Sequence, residues 1–128
     1  MNILEELYYT REHEWIRVQD ATATVGITDH AQEQLGDITY VELPELDTAV
    51  TQKAELATIE SVKAASDVYA PLAGTVASIN DALEDAPETI NSDPYGAGWI
   101  CTLTGISEAE VSSLLSAQQY EAFLAEEE

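Results

Sequence analysis

The stretch IESVKAASDVYAP, residues 59–71, decides the fold. It reads as a strand, a tight turn and a second strand, with Lys63 at the turn. Lys63 is one of only two lysines in a chain of 128 residues with 25 acidic side chains. Around it the side chains shrink to Ser61, Ala64, Ala65 and Ser66, and only Val62 has bulk. Small neighbours leave the ammonium group open to a large enzyme, and the flexible stem of a turn lysine suits a carrier arm. A solvated turn lysine has the same pattern, so spacing alone leaves both readings open.

Strand signals continue outward on both sides. EWIRV (14–18) and ATVGI (23–27) read as paired strands across QDAT (19–22). A short helix is predicted next, capped by Thr28 or Asp29, with Ala31 and Leu35 one turn apart and Gly36 as its stop. DITYVEL (37–43) predicts a half-buried strand with Ile38 and Tyr40 on one face and Thr39 and Val41 on the other, until Pro44 ends it. GTVASIN (74–80) and GWICTL (98–103) complete the β portion, separated by a loop rich in Asn, Asp, Pro and Gly. Two capping boxes, Ser107 with Glu110 and Ser116 with Gln119, predict two short C-terminal helices over about 107–126. Length and composition point to one domain over 1–128, with the lysine hairpin at about 55–71.

Charge narrows the partners. The formal net charge is −21, with Arg11, Arg17, Lys53 and Lys63 the only arginines and lysines. Phosphate backbones and anionic membranes would be repelled, which argues against nucleic acid and lipid surfaces. The acidity fits either solubility in a salty cytoplasm or transient docking on basic protein surfaces. No apolar run is long enough to span a bilayer and the N-terminal stretch is acidic, so a cytoplasmic monomer is expected. The single cysteine, Cys101, shares an alternating face with Trp99 and Leu103 and reads as a buried thiol. His13 and His30 lack the companions of a metal site, and Gly96 and Gly98 read as turn glycines.

ESVKAASDVYAP (60–71) resembles the lipoylation segment of the glycine cleavage system H proteins, a lipoyl carrier family. YYTREHEW (8–15), VGITDHAQEQLGDITYVELPE (25–45), INSDPYGAGWI (90–100) and LLSAQQYEAF (114–123) are similar to further family segments in the same order. A biotin carrier would be expected to place methionines beside its lysine, whereas Met1 is the only methionine here. Lipoyl domains of 2-oxoacid dehydrogenases usually show Asp before the lysine and lack the HEW, ITDHAQ and DPYGAGW segments.

The resemblance implies a mainly β, lipoyl/biotinyl-type barrel-sandwich hybrid of two small antiparallel sheets with peripheral helices. It implies lipoate in amide linkage to Lys63, with Glu60, Ser61, Val62 and Ala64 read by the attaching enzyme, a lipoate ligase or a lipoyl or octanoyl transferase. The implied role is a non-catalytic shuttle. It takes the aminomethyl group of glycine from a pyridoxal-phosphate decarboxylase to a tetrahydrofolate-dependent aminomethyltransferase, and electrons to dihydrolipoyl dehydrogenase. Glu14 and Asp67 are the implied docking residues for the loaded arm; a solvated carboxylate at Glu14 and a backbone-bonded turn residue at Asp67 are the plainer readings. A lipoate relay to other carriers, an unmodified acidic interaction module and a small enzyme using Glu14 and His13 are the alternatives. Position 12 departs from the family in being Glu where a small hydroxyl residue is common, which puts a second charge near Glu14.

Overall fold

The computed structural model describes residues 3–127. Strand β1 (Tyr8–Tyr9) pairs with β2 (Glu14–Gln19), which returns as β3 (Thr22–Ile27). Asp20 and Ala21 between them are both left-handed, at φ 49° and 63°, the twist that a two-residue hairpin needs. Helix α1 (Asp29–Leu35) begins where Thr28 Oγ1 accepts the Ala31 N–H at 3.2 Å, and it stops at Gly36, φ 75°. β4 (Ile38–Glu42) and β5 (Ala49–Val50) follow, then β6 (Glu55–Ser61), β7 (Ala65–Tyr69) and β8 (Gly74–Ile79). Two single-turn helices, α2 (Ala82–Asp85) and α3 (Thr89–Ser92), lead to β9 (Cys101–Thr104), α4 (Glu108–Ser112) and α5 (Ala117–Glu127).

The strands form two antiparallel sheets, β1-β2-β3-β9-β8-β5 and β4-β6-β7. Their inner faces meet in a core that includes Ile16, Val25, Ile59, Val76 and Leu103, all fully buried. A second cluster lies under the C-terminal helix, where Tyr120 stacks on Tyr9 at 4.6 Å between ring centroids and Trp15 and Leu124 close the sides. Gly26 is required there: a Cβ would sit 2.6 Å from the Trp15 indole. This second cluster includes Tyr9 and Trp15, which flank the turn that carries Thr10 and Glu12 and leads into Glu14.

Four expectations are corrected. In β4 the burial alternation fails: Ile38 and Val41 are buried while Tyr40 is 49 % exposed. An irregularity in the pairing with β6 between Ile38 and Tyr40 shifts the register and turns Tyr40 outward. The first capping box does not form, because Glu110 Oε1 accepts the Ala73 N–H at 2.9 Å and ties α4 to the loop before β8. The second does form, Ser116 N–H to Gln119 Oε1 at 2.9 Å and Gln119 N–H to Ser116 Oγ at 3.2 Å. The polar loop contains α2 and α3, whose Leu83 and Ile90 are buried as anchors. Trp99 packs against the aromatic cluster, whereas Cys101 and Leu103 belong to the main core.

Candidate functional site

The turn of the β6–β7 hairpin is held by Ser61. Its N–H donates to Ala64 O at 2.8 Å, and its Oγ accepts the N–H groups of Lys63 and Ala64 at 3.2 and 3.1 Å. The Val62 N–H donates to Asp37 O at 3.0 Å, so the junction between α1 and β4 backs the turn. Lys63 and Ala64 are exposed, Val62 is 68 % exposed, and Glu60 faces solvent opposite Ala65. The Lys63 stem lies over Gly36, where a Cβ would meet its Cε at 3.1 Å. A glycine at position 36 therefore serves both the left-handed helix stop and the lysine's path.

Beside the stem, one residue further back along α1, a cleft of about 150 Å³ opens. Ile27, Ala31, Leu35, Ile59 and Val68 form its apolar side, and Glu12, His13, Glu14, Gln34, Ser66 and Asp67 its polar side, with the Asp67 carboxylate turned to Thr58 on the outer face of the sheet. Glu14 and Asp67, 53 positions apart in sequence, thus line one cleft. Glu14 is 2 % exposed, so the solvated reading of this side chain is overturned. Its Oε1 accepts from Thr10 Oγ1 at 2.6 Å and its Oε2 from the Tyr69 N–H at 3.0 Å. Burial raises its pKa from 4.5 to about 7; the bonds from Thr10 and Tyr69 oppose this and the neighbouring Glu12 adds to it. Asp67 is exposed and receives a cross-strand bond from Thr58 Oγ1 at 3.3 Å, not a bond from its own backbone.

The sequence does not single out Thr10, nor the second role of Gly36. Thr10 carries a weak signal, a hydroxyl four positions before Glu14 across a tight turn. Gly36 was read as a helix stop only, because its second role depends on a side chain 27 positions away. Other candidates resolve as structure. Cys101 is buried and its thiol is pushed up to about 12 by that burial, which removes thiolate chemistry. His13 Nδ1 lies 2.8 Å from the Tyr120 hydroxyl, and no group of three metal-ligating side chains occurs among the described residues. Lys53 lines a separate cavity of about 320 Å³ with Arg11 and Gln52, on the other side of Glu14.

An exposed lysine at the tip of a small-residue hairpin on a two-sheet β-scaffold is the arrangement of the lipoyl carrier domains. Residues 7–127 match the family described as Glycine cleavage H-protein. The chain is similar to a glycine cleavage system H protein of Psychrobacter sp., 57 % identical over 96 % of this chain and 98 % of the relative. It is similar to that of Cronobacter sakazakii at 54 % identity, over 98 % of both chains. The crystal structure of a glycine cleavage system H protein from Mycobacterium marinum matches with a TM-score of 0.84 and 38 % identity, covering 94 % of this chain and 97 % of that one. The chain belongs to the glycine cleavage H-protein family.

Proposed function

We propose that this chain, one domain over 1–128, is the lipoyl carrier of glycine cleavage, with lipoate attached to Lys63. The observation that carries the reading is the exposed Lys63 at the hairpin turn, its stem over Gly36, next in sequence to Leu35 of a cleft that also holds Ile59 and the buried Glu14. A lipoyl chain fits this set: its hydrocarbon suits the wall of Ile27, Leu35, Ile59 and Val68, and Gly36 leaves room at the root. When bound, the group supplies a dithiolane that accepts a one-carbon unit and two electrons.

The chain's own residues do the rest. Ser61 fixes the turn that leaves Lys63 exposed for acylation, with Glu60, Val62 and Ala64 presented around it. Glu14, held by Thr10 and the Tyr69 N–H, offers a carboxylate to a cationic amine at the end of the arm, and the apolar wall keeps water away. Asp67 stands at the rim of the cleft, where its carboxylate would meet the arm only on leaving Thr58.

The chain is a cosubstrate in the cytoplasm with no turnover of its own. Its partners are the pyridoxal-phosphate glycine decarboxylase, the aminomethyltransferase, dihydrolipoyl dehydrogenase and a lipoate ligase or lipoyl or octanoyl transferase. Reconstitution tests this: carbon dioxide release from glycine should need the decarboxylase together with the lipoylated chain, and neither alone should suffice. Equal release with the unlipoylated protein would refute the proposal.

A further inference from the structure

The outward face of the three-stranded sheet carries an exposed aromatic ring among carboxylates. Register places Tyr40 opposite Glu60, Glu42 opposite Thr58, and Thr58 opposite Asp67, so all five side chains share one face. Tyr40 is 49 % exposed there, among three exposed carboxylates. The face runs into the Lys63 turn, where Val62 is 68 % exposed. The irregularity at Thr39 aims Tyr40 outward, and the Thr39 hydroxyl holds it by donating to Glu60 O at 3.3 Å. No arginine and no other lysine lies in these strands.

Resting on the carrier reading above, we infer that this face, with Tyr40 as its apolar anchor and Glu42, Glu60 and Asp67 around it, docks the basic surface of the enzyme that acylates Lys63. Chemistry at Nζ selects that partner. Acylation forms the bond from Nζ to the acyl carbonyl carbon, breaks the bond from that carbon to its activating phosphate oxygen or thiol, and releases one lysine proton. The enzyme must bring its acyl carbon to bonding distance of a stem rooted on the sheet, so it covers the surface around the hairpin. Dihydrolipoyl dehydrogenase acts on the freed dithiol at the end of the extended arm and has no such need. An acyl phosphate is held by cationic side chains, so the rim of that enzyme's site is the charge complement of this acidic face. A half-exposed tyrosine in an acidic ring fits an anchor in such an interface.

The test follows lipoyl transfer onto the unlipoylated protein by a lipoate–protein ligase with lipoate and ATP, read as intact mass against time. Tyr40→Ala should lower kcat/KM about tenfold while keeping the thermal midpoint of the wild type. Tyr40→Phe should stay near the wild type, and Tyr8→Ala, an exposed tyrosine on β1, should have no effect. Glu42→Gln should weaken the reaction at low salt and flatten its salt dependence. Once lipoylated, the Tyr40→Ala protein should be reduced by dihydrolipoyl dehydrogenase and NADH within about twofold of the wild-type rate. Acylation of Tyr40→Ala at the wild-type rate would overturn the inference, as would an equal loss in the dehydrogenase reaction. If the wild type itself is not acylated, the carrier reading falls first and takes this one with it.

Discussion

The Tyr69 N–H donates to Glu14 Oε2 at 3.0 Å, joining residues 55 positions apart. Tyr69 ends the strand that descends from the Lys63 turn, and Glu14 opens the strand that follows the β1–β2 turn. One bond therefore registers the lysine hairpin against the carboxylate at the end of its cleft. It also occupies a backbone donor at the edge of β7, the last strand of its sheet among the described residues.

Burial of Glu14 makes stability depend on pH in an unusual direction. Its folded pKa, about 7, lies above the reference of 4.5. Below pH 4.5 both folded and unfolded chains hold the proton and the penalty is absent; as pH rises towards 7 the unfolded chain ionises first, so stability contributed by this group is lost. A shift of that size corresponds to about 3 kcal/mol. Glu14→Gln should remove the effect, so its stability relative to the wild type should rise by about that amount from pH 4.5 to 8 in urea unfolding. Parallel pH profiles for the two proteins would contradict it.

The same carboxylate governs the loaded arm. A cationic amine in the cleft favours ionised Glu14 and gains a charge-assisted bond of about 1.5 to 3 kcal/mol. Glu14→Ala should hasten loss of ammonia from the isolated loaded protein by about tenfold or more while leaving lipoylation of Lys63 unchanged. In the wild type the decay should quicken as pH falls below 7, when Glu14 takes up its proton, and the variant should lack that inflection. Equal decay rates would remove Glu14 from this role.

Away from the cleft, the two members of the first capping box should behave differently. Glu110→Ala leaves the Ala73 N–H without its partner and should cost about 1 to 3 kcal/mol in chemical denaturation. Ser107→Ala should cost under about 0.5 kcal/mol, because the Ser107 side chain caps nothing. The reverse order would mean that Ser107 is the cap after all.

Much of the fold was legible because its signals are local. Thr28, Gly36, the Ser116–Gln119 box and the small residues around Lys63 each act within a few positions. What the sequence hid depends on partners far along the chain. Tyr40 alternates correctly with its neighbours, and only the shifted pairing with β6 turns it outward. Glu110 has the spacing of a capping residue but finds Ala73, 37 positions earlier. Pairing of Glu14 with Asp67 in one cleft rested on resemblance alone, since no local pattern links β2 to β7. The burial of Glu14 was hidden for the same reason: the aromatic cluster of Tyr9, Trp15 and Tyr120 that packs around its turn is assembled from both ends of the chain.

The central claim is a covalent lipoyl group on Lys63. The most direct measurement is the intact mass and peptide map of the protein expressed in cells that supply lipoate and its attaching enzymes. The account predicts one lipoyl group on Lys63, none on Lys53, and none at all in Lys63→Arg, which folds normally because the turn is exposed. An unmodified Lys63 in such cells, or a lipoyl group on Lys53, would contradict it.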